Sequence, residues 1–305
     1  MVFSCEVPSN VREPVFIADY LCARFTYHDK ARWVGVIREG RVFINAAVCT
    51  EDDCVTAGDT ISYDPGEWEE PYADLSYSVI YEDEWILGVN KPGNLLVHRA
   101  GKSFRNNLVY QLRNVHSPLY PHCHPVHRLD RETSGVVLFA KDSRQGAVFG
   151  KIFSEQKAHK TYKAVVSGKF DFGTPYTIEQ PVGADKESGI NFRFRVDESG
   201  KSAVTVIERA QVYENGFTLL TIRPVTGRTH QIRVHLAHLG FPIIGDRLYG
   251  LSASEYLSKT RDEITGGLPC RQALHCKSLS FVHPYTGERC EIKAELPPDI
   301  KERLN

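Results

Sequence analysis

The sequence predicts an α+β protein, with a mixed, mostly antiparallel central sheet flanked by helices and loops, preceded by a small α/β unit. Three observations point there. The first 65 residues alternate helical and strand periodicity in the order helix, helix, strand, strand, whereas the chain beyond residue 76 carries many short β-rich runs and few helices. Between them, Asp64-Pro65-Gly66-Glu67-Trp68-Glu69-Glu70-Pro71 interrupts any periodic pattern. Charge breaks at the same place: residues 1–75 hold 6 Lys/Arg against 14 Asp/Glu, a balance of −8, leaving 31 against 24, or +7, for residues 76–305. A large anionic partner therefore has to meet the second part. These boundaries divide the chain into residues 1–65, a linker at 66–76 and a main domain at 77–305.

In the first part, Ile17, Tyr20, Leu21 and Phe25 recur at helical spacing within Val15 to Phe25, and Trp33, Val34 and Ile37 do so within Lys30 to Glu39. Arg41 to Asn45 and Asp59 to Tyr63 follow as strands bounded by Gly40 and Gly58. In the second part, Val79 to Tyr81, Trp85 to Asn90, Val136 to Ala140, Tyr162 to Val166 and Ala203 to Ile207 read as strands. Asn215-Gly216 between Ala210–Tyr213 and Phe217–Ile222 predicts a hairpin, because such a pair tolerates the positive φ of a tight turn. Two helices stand out. Arg144 to Gln156 places Ala147, Val148, Ile152 and Phe153 on one stripe, and Thr229 to Leu239 places Ile232, Leu236 and Leu239 likewise, with Thr229 as its cap.

Composition narrows the function classes. A chain of 305 residues, 42% hydrophobic and 25% charged, is neither disordered nor collagenous. Its longest apolar run, Val136 to Ala140, is far short of the roughly 20 residues a spanning helix needs. With no secretory signal at the start, a cytosolic address is the default expectation. The cysteines at 5, 22, 49, 54, 123, 270, 276 and 290 form no CxxC pair and read as reduced thiols, and no metal is expected. Gly101-Lys102-Ser103 lacks the phosphate-loop glycine five residues earlier, where Leu96 stands.

Three segments could carry chemistry. Pro121 to Gly135 is a polar loop feeding an apolar strand, where Asp130 lies between Arg128 and Arg131, a setting that favours an ionised carboxylate. Read by itself it is equally a surface turn. Arg223 to His238 crowds Arg228, His230, Arg233 and His238 at the start of a helix, suited to an anion or, equally, to a solvated basic face. In Lys160-Thr161-Tyr162-Lys163, the tyrosine could stack on a base while the lysines hold phosphates, or simply express β-propensity.

Taken together, these residues are similar to a known family. Lys91-Pro92-Gly93 through His98, His127-Arg128-Leu129-Asp130-Arg131-Glu132-Thr133-Ser134-Gly135, Arg223-Pro224 through Arg228-Thr229-His230-Gln231-Ile232-Arg233, Gly245-Asp246-Arg247-Leu248-Tyr249-Gly250 and Leu274-His275 to His283-Pro284 resemble the RluA-type pseudouridine synthases in order and spacing. The first part resembles the S4-like RNA-binding module. The resemblance implies the pseudouridine synthase fold and isomerisation of particular uridines in structured RNA, ribosomal or transfer, without metal, nucleotide or redox cofactor. It implies Asp130 as catalytic carboxylate, Tyr162 as the aromatic packing on the target base and Arg233 as partner of Asp130. Arg128 would fill the gap left by the departed uridine, and Lys160, Arg228 and His230 would contact RNA. The chain is read as a monomer with no membrane partner. Glu132 reads as a solvated acid. The acidity of residues 1–75, and Ala46 where a glycine is common, leave RNA contact by the S4-like module open. The rival readings are a non-catalytic RNA-binding or chaperone protein on the same fold and, more weakly, a carboxylate glycosidase.

Overall fold

The computed structural model describes residues 2–25, 28–66, 69–259 and 271–305; residues 67 and 68 of the expected linker, and Cys270, lie outside them. The chain forms two compact units, Met1–Pro71 with Ala100–Phe104, and Tyr72–Arg99 with Arg105–Asn305. Among the described residues, no helix is long and apolar enough to cross a membrane.

In the first unit, β1 (Phe3–Glu6), β2 (Val15–Phe16), α1 (Ile17–Arg24), α2 (Lys30–Arg38), β3 (Val42–Ile44), β4 (Ala47–Val48), β5 (Cys54–Val55) and β6 (Thr60–Tyr63) follow one another. The sheet runs β1-β6-β3-β4, and β2 pairs with β5. Asp29 caps α2 by accepting from the Arg32 N–H, and the fully buried Trp33 anchors the core against Leu21, Ile37, Val42 and Ile61. Phe104 belongs here because its ring stacks on Phe3 with centroids 4.0 Å apart. Sequence patterning did not reveal the β3–β4 hairpin, whose two-residue turn puts both Asn45 (φ 49°) and Ala46 (φ 69°) in the left-handed region. Asn45 suits that geometry, and its side chain is tied to Asp59 and to the Thr60 N–H at 2.8 Å each. Ala46 tolerates it at the expense of strain between its Cβ and the backbone.

The second unit comprises β7 (Ser78–Glu82), β8 (Ile86–Lys91), α3 (Leu108–Asn114), β9 (His124–Pro125), β10 (Ser134–Ala140), α4 (Ser143–Ser154), β11 (His159–Ser167), β12 (Tyr176–Ile178), β13 (Val182–Ala184), β14 (Phe194–Val196), β15 (Thr205–Val212), β16 (Phe217–Pro224), α5 (Gln231–His238), α6 (Ala253–Ser258), β17 (Leu274–Val282) and β18 (Arg289–Lys293). Its sheet runs β12-β15-β16-β11-β17-β10-β8-β7, with β18 beside β17 and β9 beside β10. Every pairing in it is antiparallel except β10 with β17. The mixed, mostly antiparallel sheet of the sequence reading is thus borne out.

That one parallel pairing sets the site. Gly135 and Tyr162 both pair with Cys276, from opposite sides of β17, so the loop entering β10 and the middle of β11 are held two strands apart. Gly135 has φ 110°, and a Cβ there would lie 2.1 Å from the Cys276 carbonyl oxygen, so only glycine allows this approach. β10 is buried along its whole length, as its continuous apolar run implies.

The expected hairpin forms between β15 and β16, with Gly216 alone of its turn left-handed (φ 81°) and its N–H closing on the Tyr213 carbonyl. Two local readings are corrected. On α4 the buried residue is Phe149, while Ala147 and Val148 are exposed, because the helix rests its Phe149 side against Phe281. Helix α5 begins at Gln231, not at Thr229, and His238 falls in its last turn.

Ala46→Gly should raise the unfolding free energy by about 0.5–1 kcal/mol, the relief of left-handed strain exceeding the added flexibility of the unfolded chain. A higher urea midpoint at unchanged slope reads this out; a lower midpoint refutes it.

Candidate active site

Asp130 sits on the turn that enters β10, and that turn is fastened from below. Thr133 Oγ1 accepts from Gln272 Nε2 at 2.7 Å, and Ser134 Oγ lies 2.9 Å from His275 Nδ1. Both side chains are buried, so they pin the loop to the chain leading into β17 rather than serve as surface hydroxyls. Lys91, fully buried at the end of β8, donates to the carbonyls of Pro92, Leu95 and Arg131 at 2.9, 2.8 and 3.0 Å. Its three ammonium protons each have a carbonyl, and through Arg131 it holds the residue next to Asp130.

Arg233 reaches the site from α5. The helix starts with His230 in a left-handed conformation (φ 57°) and no side-chain cap. Gln231 supplies the missing order: its Oε1 accepts from Thr226 Oγ1 and the Arg228 N–H at 2.7 and 3.0 Å, and its Nε2 donates to the Val204 carbonyl at 3.0 Å. Residues Gln231 to Leu236 are all buried, so this is not a solvated basic face.

Arg233 Nη1 donates to Asp130 Oδ2 at 2.9 Å. The Asp130 side chain keeps 24% of its exposure and Arg233 keeps 9%, so the acid can be reached and its partner cannot. Burial raises the Asp130 pKa, but the neighbouring charges of His230, Arg233 and Arg128 outweigh it and hold the carboxyl below its ordinary range. Which of these cations is present at neutral pH can be decided. Burial pushes His230 down to about 4, so its ring is neutral there and the standing charges acting on Asp130 are the guanidinium groups of Arg233, which bonds it, and of Arg128. Phe194 N–H donates to the Tyr249 hydroxyl at 3.1 Å, and that hydroxyl lies 2.9 Å from His230 Nδ1. His230 Nε2 faces Asp130 Oδ2 at 3.8 Å, just beyond hydrogen-bond reach.

A cleft of about 480 Å³ opens over this pair, within the usual range of small-ligand sites. All seven residues singled out in the sequence line it: Asp130, Tyr162, Arg233, Arg128, Lys160, Arg228 and His230. Tyr162 is 7% exposed, its hydroxyl directed at Cys276 and its pKa strongly raised by burial. Lys160, two residues earlier on the same face of β11, is half-buried, and burial lowers its pKa. Arg128 and Arg228 are exposed, and Arg228 Nε donates to the Ser202 carbonyl at 2.9 Å. Asp130 is the one acid among the lining residues, against four Arg or Lys.

Glu132 is not a solvated acid. It is paired with Arg247 and also accepts from the Gln272 N–H at 3.4 Å, so it belongs to the loop's fastening. Asp246 and Tyr249 carried no role in the sequence reading, although both lie in the Gly245–Gly250 block. Asp246 Oδ2 and Oδ1 accept from Arg233 Nε and Nη2 at 2.6 and 2.9 Å. The Tyr249 ring lies 4.9 Å from the Arg233 guanidinium carbon. A search for the counter-charge of a buried arginine was the signal that could have found Asp246.

The family model of the RNA pseudouridylate synthases matches residues 86–238. "Ribosomal large subunit pseudouridine synthase D" of Pseudomonas aeruginosa is 32% identical over 294 residues, covering 90% of this chain and 87% of that protein. The protein of the same description from Vibrio cholerae is 34% identical over 292 residues, with 91% and 86% covered. Among solved structures, human RNA pseudouridylate synthase domain containing 1 superposes with a TM-score of 0.58 at 25% identity, over 76% of this chain and 89% of that one.

Burial holds His127 near pKa 3 and His230 and His275 near 4, below the ordinary 6.5, so between pH 6.5 and 4 the unfolded chain binds protons that the folded chain refuses. Their contribution to stability is complete above pH 6.5 and is lost as pH falls below it. Denaturant midpoints should therefore drop between pH 7 and pH 4.5, and the His230 ring resonances should show no protonation above pH 5; a His230 titration near pH 6.5 would contradict the assignment.

Proposed function

Because the chain belongs to the RNA pseudouridylate synthase family, whose members isomerise uridine in RNA, we propose that Asp130 is the carboxylate that performs this reaction here, on ribosomal RNA of the large subunit. The observation that carries the assignment is the 2.9 Å pairing of Asp130 with a buried Arg233 in a cleft where Asp130 is the one acid against four Arg or Lys. The choice of RNA rests on the names of the relatives; transfer RNA is the alternative substrate. Uridine and its isomer contain the same atoms, so the conversion needs no oxidant or reductant.

A uracil stacked in structured RNA is out of reach of any side chain, and extruding it costs roughly a few kcal/mol. Arg128, exposed at the cleft, occupies the vacated stack, while Lys160 and Arg228 hold the flanking phosphates. The extruded base lies against Tyr162 and excludes water from Asp130. Under those conditions a lone carboxylate would take up a proton, and Arg233 prevents it. His230, neutral at working pH, presents Nε2 beside Asp130 for a hydrogen bond to the base or the sugar. Asp130 then attacks the ribose C1′ or the uracil ring, or removes a ribose proton in a glycal-forming route. Replacing Arg233 by Met would leave the acid buried and unpaired, at about 3–5 kcal/mol.

We assign residues 1–65 to an S4-like module, 66–76 to a linker and 77–305 to the catalytic domain. The helix pair and the acidic balance of the first unit support docking on a basic partner or steering by repulsion rather than a grip on phosphates.

With RNA labelled with tritium at uridine C5, the wild type should release tritium from large-subunit ribosomal RNA, and Asp130→Asn should release none while still retaining RNA in a filter-binding assay. Tritium release by that variant refutes the role of Asp130. Release from transfer RNA alone refutes the choice of substrate.

A further inference from the structure

Arg233 turns only Nη1 toward Asp130. Its Nε and Nη2 form a two-pronged fork with Asp246, whose side chain is 1% exposed. Asp246 is itself immobilised. Its Oδ1 accepts from the Leu248 and Tyr249 N–H groups at 3.1 and 3.2 Å, and the Gly250 N–H donates to its carbonyl at 2.7 Å. The turn closes this tightly because Gly245 takes φ 77° with no side chain, where a Cβ would lie 2.3 Å from the Arg271 carbonyl oxygen. With the Tyr249 ring against its face, the guanidinium is fixed in plane and direction without any help from Asp130. Among the described residues, Asp130 Oδ1 receives no hydrogen bond, since Arg233 donates to Oδ2 alone.

We propose that Asp246 is the positioning residue of the reaction, a permanent counter-charge that holds Arg233 in place while the charge of Asp130 passes to the substrate. This rests on the reading of Asp130 as the reacting carboxylate. Every route open to that carboxylate moves its charge. In attack on C1′, a C–O bond forms and the C1′–N1 pair leaves on the uracil. Addition at C6 pushes the ring π pair onto the C5–C4–O4 system. In removal of the C2′ proton, the C–H pair becomes the C1′=C2′ bond and N1 again departs with its pair. In each case Asp130 becomes neutral and the uracil anionic, until the C1′–N1 bond has broken and C5 has joined C1′, Asp130 has released its C1′ ester, its C6 adduct or the proton it returns to C2′, and the C5 proton has left while N1 gains one. Over that interval an arginine paired with Asp130 alone would be a buried cation facing a neutral group, free to follow the charge or to draw water in. The Asp246 fork removes that freedom. It also limits Arg233 to one hydrogen bond with Asp130, leaving the second carboxylate oxygen to react.

Single-turnover rates, RNA affinity and melting temperature of wild type, D246N, D246E, R233K and D246N/R233K test this on the RNA that the wild type modifies. D246N should slow conversion about 10- to 100-fold, as loss of the group orienting a reacting side chain does, while RNA affinity stays within about threefold. D246E should recover part of the rate. In the R233K background, removing Asp246 should cost less than about threefold more, because an ammonium cannot be held by a fork. Losses of D246N and R233K that multiply, or a folded D246N converting at the wild-type rate, overturn the proposal. Should D246N not fold, D246E and D246E/R233K provide the same comparison, with independent losses again overturning it. D130N keeps the two readings apart: turnover by D130N defeats the assignment of Asp130, whereas an inactive D130N beside a fully active D246N defeats only the role of Asp246.

Discussion

A carboxylate that stays ionised in a partly buried cleft needs a cation fixed opposite it, and the cation must not depend on the carboxylate for its own position. In this protein that cation is the Arg233 guanidinium, 103 positions downstream of Asp130 and 9% exposed. Most of the architecture around the cleft serves this arrangement. The Asp130 turn is fixed by Lys91, Thr133 and Ser134, the start of α5 by Gln231, and the guanidinium by Asp246 and Tyr249. Lys91, Thr133, Ser134, Gln231 and Asp246 are all buried polar groups with hydrogen-bond partners, which is what allows so much polarity within a close-packed sheet domain.

The same burial keeps the histidines around the site uncharged. His230 in a more open setting would be a second, titrating cation beside Asp130, and the site would change character between pH 5 and 8. Held near 4 and hydrogen-bonded to Tyr249, it is instead a neutral ring. Arginine carries the charge, because it keeps its proton at any pH the fold survives.

The first unit follows a different economy. Its core closes around Trp33 with two short helices and a four-stranded sheet, and its surface is strongly acidic. Repulsion between that surface and phosphates acts over about a Debye length, roughly 8–10 Å.

Much of this was legible in the sequence. The order of the β-rich runs gave the sheet, the continuous run Val136–Ala140 marked its buried centre, and Gly135 was already visible at the foot of that strand. The residue types of the site were legible as well, since an acid between two arginines and a helix start rich in Arg and His are local patterns. Their roles came only from the resemblance of whole motifs. What tertiary structure alone decided is everything that depends on pairing across the sheet. Cys276 standing between Gly135 and Tyr162, Asp246 forked onto Arg233, and Glu132 drawn out of solvent by Arg247 join positions 13 to 141 residues apart. Periodicity reports which face of an element is buried, but it is silent on which buried group meets which. That is set by strand order, and strand order follows from burial summed over the whole sheet.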